Sequence, residues 1–262
     1  MEKAVAGLSS ALGLSPREHL AIVGGGGKTS LLNALAEELK GRGERVLTST
    51  TTKIWQKEAL RAPCVILTRS DVHWADKLVE GVKKHGHVFL GRCFHESGKV
   101  EGIDPELADE LFREQKADYL VVEADGSSGR PVKVHDLHEP VVPGSATGVI
   151  AVMGLEALGR RASQEIVFRW DLFLKLSQMD PGEPLTAQVL AGLFSESGGL
   201  FKGTPAAARR IAFLNKTDLV SDEEEARNLA HLILGDDSNG INRVIMGSIK
   251  EGKYRVIRRN HT

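Results

Sequence analysis

The chain has 262 residues, enough for one large domain, or one domain with insertions, around a sizeable core. Its 34 Lys and Arg against 35 Asp and Glu leave almost no net charge, which argues against a nucleic acid or an anionic membrane as the main partner. No apolar run reaches the roughly 20 residues that cross a bilayer, and two cysteines are too few for a disulfide framework, so a protein of the reducing cytoplasm is expected.

The first 19 residues hold a short apolar stretch that runs into Pro16, Arg17 and Glu18 without a strongly basic start, which predicts a small docking helix rather than a signal peptide. Residues 19–23 read as an apolar strand and 29–40 as a helix closed by Gly41 and Gly43. A second strand at 45–49 ends in the polar run Thr50-Thr51-Thr52-Lys53, and a third is expected at 64–67. Ser70 is placed to cap a helix over 71–84, a short strand follows at 88–90, and Pro105 opens a helix that extends to about Gln115. Residues 119–122 form a strongly apolar strand before a polar loop through Pro143. Further strands are expected at 148–153, 210–214 and 243–246, separated by helices at about 164–176, 186–194 and 222–234. This alternation predicts an α/β fold, a mostly parallel sheet covered by helices on both faces. A single domain over 1–262 accounts for it, with a helical insertion at about 155–208.

The first strand runs into Gly24-Gly25-Gly26-Gly27-Lys28-Thr29-Ser30 and then a helix. Phosphate binding needs this order: glycines let successive backbone N–H groups turn around an anion, and the helix start adds its positive end. Lys28 is expected to reach the β- and γ-phosphates of a nucleotide, and the Thr29 hydroxyl to bind Mg²⁺, which makes the fold a P-loop NTPase. The general pattern G-x-x-x-x-G-K-[ST] wants a glycine at position 22, where this chain has Ile22. The loop instead resembles the variant of the MinD and nitrogenase-iron-protein group, without that group's second lysine, since position 23 is Val23. A glycine run also makes flexible turns, and only its place between strand and helix favours phosphate.

Nucleotide chemistry needs an acid at the end of a neighbouring strand to hold the metal. Glu123-Ala124-Asp125-Gly126 supplies two, and the sequence does not decide which of Glu123 and Asp125 faces it. A glutamate here resembles the metallochaperone branch of GTPases. Lys28, Glu123 and Asp125 are the expected catalytic groups, with Thr29, Glu123 and Asp125 as metal ligands. Asn215-Lys216-Thr217-Asp218 follows an apolar run, as the N-K-x-D motif of GTPases does. Its Asp would accept from the guanine N1–H and 2-amino group, which adenine does not offer, so GTP is expected before ATP. Asn and Asp also favour turns, which is the plainer explanation. Ser248, after the last strand, is expected to complete the base pocket.

Further ordered segments include Val122-Glu123-Ala124-Asp125-Gly126-Ser127, His138-Glu139-Pro140-Val141-Val142-Pro143 and Gly199-x-x-Lys202-Gly203-x-Pro205. With Thr50-Thr51-Thr52-Lys53, Pro131-x-Lys133 and Gly154-Leu155-x-Ala157-Leu158-Gly159, they resemble the YqeC family of selenium-dependent hydroxylase accessory proteins. The resemblance runs from Gly24 to Asp218. It implies a role in maturation of molybdenum hydroxylases that carry a labile selenium, with a client hydroxylase or cofactor-assembly protein as partner. No residue by itself shows molybdenum or selenium chemistry.

The threonine run sits where a switch segment would reach the γ-phosphate, so Thr51, Thr52 and Lys53 are expected nucleotide contacts along with Gly126. The 125–143 loop could touch a client through Lys133, His138 and Glu139. His135, His138 and Glu139 form H-x-x-H-E, but surface or hydrogen-bonded histidines explain them better than a tight metal site. No cis arginine finger is evident; Arg130 and Arg169 are the ones to locate. Three functions follow: a GTP-preferring hydrolase, a small-molecule kinase or nucleotidyl transferase, and a nucleotide-gated binding module. A homodimer across the nucleotide is expected only on analogy with the related loop class.

Overall fold

The computed structural model describes residues 2–195 and 198–259. β1 (Glu2–Val5) and α1 (Leu8–Leu12) precede β2 (Glu18–Gly24), a strand buried along its whole length. The glycine run delivers the chain into α2 (Lys28–Gly41), followed by β3 (Val46–Thr50), β4 (Lys53–Trp55) and the single-turn α3 (Gln56–Ala59). β5 (Val65–Leu67), α4 (Trp74–His85) and β6 (His87–Gly91) come next, then the short β7 (Cys93–His95) and β8 (Lys99–Glu101). α5 (Pro105–Arg113), with Pro at its start, leads to β9 (Tyr119–Glu123), β10 (Val132–Lys133) and β11 (Gly148–Gly154). After β12 (Val167–Phe168), α6 (Trp170–Ser177) and α7 (Ala187–Ser195), the chain finishes with β13 (Arg209–Asn215), α8 (Glu223–Gly235), β14 (Ile241–Ser248) and β15 (Lys253–Arg258).

Ten strands form one sheet in the order β1-β15-β14-β13-β11-β2-β9-β3-β6-β5. From β14 to β5 every pairing is parallel, and only β15 and β1 add antiparallel edges. Strands buried on both faces read as apolar runs, and their side chains divide by parity. Leu20 and Ile22 pack with α1 and α2 on one face, while Ala21 and Val23 pack with the core of α7 and α8 on the other. α4 and α5 cover Leu47, Val88, Leu120 and Val122 on that second face. The α/β architecture is the expected one, a mostly parallel sheet with helices on both sides. β2 lies between β9 and β11, and its chain leaves through α2 toward β3. The strand order reverses there, so the carboxyl end of β2 opens on a crevice.

Three features depart from the sequence expectation. The N-terminus is a strand as well as a helix: β1 pairs with β15, and α1 docks by donating from the Ser9 amide to Glu38 of α2 at 2.9 Å. The helix expected over 71–84 starts at Trp74, because Asp71 takes the His73 amide into a turn at 2.9 Å. β4, β8 and β7 form a separate antiparallel sheet outside the main one. The 155–208 stretch is the crossover between β11 and β13, which are adjacent and parallel.

Two buried histidines are expected to make the fold acid-sensitive. His19 meets Ser145 at 2.8 Å and His87 meets Thr48 at 2.8 Å. Burial, against a small opposing pull from Asp109 or Glu37, lowers both pKa values to about 4. A depressed pKa means that the folded state holds the neutral ring. That stability is complete above the unfolded pKa of about 6.5 and is lost as pH falls toward 4. Chemical denaturation between pH 7 and 4.5 should therefore show falling stability. His87→Gln should reduce the total loss over that range by ~1–3 kcal/mol, and an unchanged loss would contradict the assignment.

Candidate functional site

The loop after β2 is held by its own backbone. Gly24, Gly26 and Gly27 have φ of 98°, 74° and 126°, a region L side chains rarely enter. Added Cβ atoms would stand 2.2 Å from the Val152 carbonyl oxygen at Gly24 and 2.2 Å from the Gly154 nitrogen at Gly26. The Gly24, Gly25 and Gly26 amides donate to Asp125 (2.8 Å), to the Val152 carbonyl (2.9 Å) and to the Arg130 carbonyl (2.9 Å). These three glycines therefore fix the loop from behind. The donors left for an anion are those at the start of α2, where Lys28, Thr29 and Ser30 precede the first intrahelical bond from Leu31 to Gly27. No side chain caps this end and no acid occupies its first turn.

Lys28 is buried, with its ammonium donating to the Gly24 carbonyl at 2.8 Å and to Ser127 at 3.2 Å. It faces Asp125 at 3.1 Å and Glu123 at 3.6 Å. Burial opposes its charge, but the two carboxylates outweigh burial and push its pKa up. Glu123 is pushed up by burial, against the pull of Lys28 and a 2.7 Å bond from the Thr29 hydroxyl. Asp125 goes the other way. Burial would raise it, yet Lys28, His135 and Lys133 hold it well below the usual carboxylate range.

The two acids thus differ in place. Glu123 lines a cavity of about 340 Å³ with Lys28 and Thr29, whereas Asp125 is fully buried behind them. One Asp125 oxygen takes the Gly24 amide and His135 Nε2 at 2.6 Å, with Lys133 at 3.5 Å. His135 Nδ1 must donate to the Gly199 carbonyl at 2.9 Å, so both ring nitrogens are engaged. Thr29 and Glu123 offer hard oxygen donors of the kind Mg²⁺ takes, and Asp125 is committed to cations of the protein. Among the described residues no group of three or more His, Cys, Asp or Glu side chains is placed to hold a metal.

A second cavity, of about 590 Å³, lies between α2 and the loops after β13 and β14. Asn215, Lys216, Asp218 and Ser248 line it, and Gly27, Ser30 and Lys216 line both cavities, so the two form one trough. Asp218 is only 11% exposed in its side chain and has Lys250 at 3.9 Å. A bond from Ser248 holds its carboxyl below the usual range. Asn215 does not present its amide to the trough: Nδ2 donates to the Gly26 carbonyl at 2.8 Å and Oδ1 accepts from the Ile249 amide at 3.2 Å. It ties the phosphate loop to the base end. Lys216 adopts a left-handed backbone, φ 67°, and bonds Glu156.

The remaining expected residues separate. The Thr51 hydroxyl donates to the Val141 carbonyl at 2.7 Å, and Thr52 pairs with Thr50 at 3.2 Å. Thr51 and Thr52 line a third cavity, of about 430 Å³, rather than the phosphate cavity; Lys53 and Gly126 line both. Arg130 donates to the Gln164 carbonyl, and Arg169 pairs with Glu139 at 3.3 Å. Both line a different cavity, away from Lys28. Trp55, Glu58 and Lys99 also face the phosphate cavity and were not expected there. The sequence gives little sign of β8 beyond Gly98 and Gly102, which bracket Lys99-Val100-Glu101.

A family model described as YqeC protein matches residues 20–171. An Escherichia coli (strain K12) protein described as uncharacterized protein YqeC is 35% identical over 240 residues, covering 88% of each chain. Among solved structures, chloroplast FtsY from Physcomitrella patens aligns with 89% of this chain and 60% of its own, at 16% identity and a TM-score of 0.41. FtsY from Mycoplasma mycoides aligns with 93% and 64%, at 14% identity and a TM-score of 0.40. This chain thus spans less than two thirds of either structure, and likenesses at these scores add nothing to the argument from the site.

Proposed function

The chain belongs to the YqeC family, and from that premise we propose that it is a Mg²⁺-dependent nucleoside triphosphatase that prefers GTP. The observation that carries the reading is the continuous trough, with Asp218 and Ser248 at one end and Lys28, Thr29 and Glu123 at the other. A guanine set against Asp218 directs its phosphates along Ser30 and Gly27 to the start of α2. Lys28 and the first amides of that helix then neutralise and orient the phosphates. Asp125 acts as a positioning residue, because it holds both the Gly24 amide and the Lys28 ammonium. Thr29 and Glu123 would hold magnesium, which when bound shields the charge that builds up on the phosphates.

Neither Arg130 nor Arg169 lines the phosphate cavity, so slow turnover is expected unless a partner supplies an arginine. Coupling of that turnover to maturation of a selenium-dependent molybdenum hydroxylase is proposed on the family likeness alone, with a client hydroxylase or cofactor-assembly protein as partner. Among the described residues no helix is long and apolar enough to cross a membrane.

Single-turnover release of phosphate from GTP tests the catalytic part. Glu123→Gln should slow it about 10- to 100-fold while GTP still binds, and removing Mg²⁺ from the wild type should have a similar effect. Wild-type rates in Glu123→Gln would remove Glu123 from the reaction.

A further inference from the structure

The cavity of about 430 Å³ next to the phosphate cavity is not used by the nucleotide reading above. It is joined to the phosphate cavity through Lys53, Lys99 and Gly126, on the side away from Asp218. The order along the trough is therefore base end, phosphate end, third cavity. A nucleotide seated in the first two presents its terminal phosphate to the third.

Charge on the walls of this cavity is uneven. Arg92 stands between two carboxylates, Glu101 at 3.7 Å and Asp104 at 3.8 Å, and Glu139 meets Lys133 at 3.2 Å and Arg169 at 3.3 Å. Lys53 and Lys99, at the junction, form no ion pair among the described residues. The Lys99 ammonium lies 4.9 Å over the Trp55 ring instead. β4 and β8 pair Lys53 with Glu101 and Trp55 with Lys99, so both lysines stand on one face of the small antiparallel sheet. Two ammonium groups outside any ion pair among the described residues, Lys53 beside Glu101 in the register, suit a carboxylate or phosphate on this polar wall.

We propose that this third cavity is a second-substrate site for a small hydrophilic molecule bearing a carboxylate or phosphate, which Lys53 and Lys99 hold against the terminal phosphate of the nucleotide. The two lysines offset the repulsion between the oxyanion and the triphosphate. The oxyanion then stands where an acceptor of phosphoryl transfer has to be. There its oxygen would form the new bond to the γ-phosphorus as the bond to the β–γ bridging oxygen breaks, and the nucleoside diphosphate leaves with that electron pair. An oxyanion brings no proton for a base to remove. The proposal rests on the nucleotide reading above and names what that site does with its open end.

The test is titration of inorganic phosphate into the protein saturated with Mg²⁺ and the imido analogue of GTP, followed by ³¹P line broadening and Trp55 fluorescence in a Trp74→Phe, Trp170→Phe background. The analogue fills the γ-phosphate position, so phosphate that still binds must do so beyond it. The expected result is saturable phosphate binding that weakens at least about tenfold in Lys53→Gln/Lys99→Gln. Binding that ignores these substitutions, or no phosphate binding although the analogue binds, overturns the second-substrate site and leaves the nucleotide site standing. Failure of the analogue itself to bind overturns both.

Discussion

Asp218→Asn is expected to weaken GTP binding by roughly 100- to 1000-fold and to bring in xanthosine triphosphate as the better ligand. The bond from Ser248 holds the Asp218 carboxyl below the usual range, and Asp218 lines the wide end of the trough. A carboxylate accepts from both guanine donors, N1–H and the 2-amino group. An asparagine keeps one acceptor and turns an NH₂ toward the second donor. Xanthine carries a carbonyl at that position, so the NH₂ regains a partner. Competition of the two nucleotides against a fluorescent GDP analogue reads the exchange. Loss of GTP without gain of xanthosine triphosphate would mean that Asp218 supports the loop and does not read the base.

Lys28→Ala should abolish measurable turnover and weaken triphosphate binding by roughly 100- to 1000-fold, with a smaller loss for GDP. Its ammonium lies among Gly24, Ser127, Asp125 and Glu123, so the nucleotide replaces carboxylate partners with phosphate oxygens. Removing the cation also leaves Asp125 and Glu123 facing each other with less compensation, so folding has to be checked by thermal unfolding beside the binding data. Equal affinity of the variant for GTP and GDP, both weakened, would show that Lys28 does not reach the terminal phosphate.

The core was legible because β2, β9, β11 and β13 are buried on both faces and therefore read as unbroken apolar runs. The phosphate loop was legible because its glycines, Lys28 and Thr29 stand between such a strand and a helix. The edges were less so. β15 alternates Tyr254, Val256 and Ile257 with lysine and arginine, a pattern close to that of a polar tail. β4, β7 and β8 have three residues each, too few for a period of two to register. The unexpected cleft residues Trp55 and Lys99 come from this sheet.

The roles of neighbouring residues were harder still. Glu123 ends β9, and past a strand end side-chain direction no longer follows from spacing, so Asp125 could turn into the interior toward His135 and Lys133. His135 reads as a surface or hydrogen-bonded histidine rather than a metal ligand, but spacing does not name its partner: it serves Asp125, and Glu139 serves Lys133. Asn215 has the spacing of a base contact, but its amide is a strut between Gly26 and Ile249. Motif spacing fixes which residues meet at a site, while the surrounding backbone decides which way each side chain faces.

Equilibrium titration of the wild-type protein with GTP and with ATP, each with Mg²⁺, tests the central claim most directly. The trough as described predicts that GTP binds at least about tenfold more tightly than ATP. Equal or tighter ATP binding, or binding of neither, would contradict it.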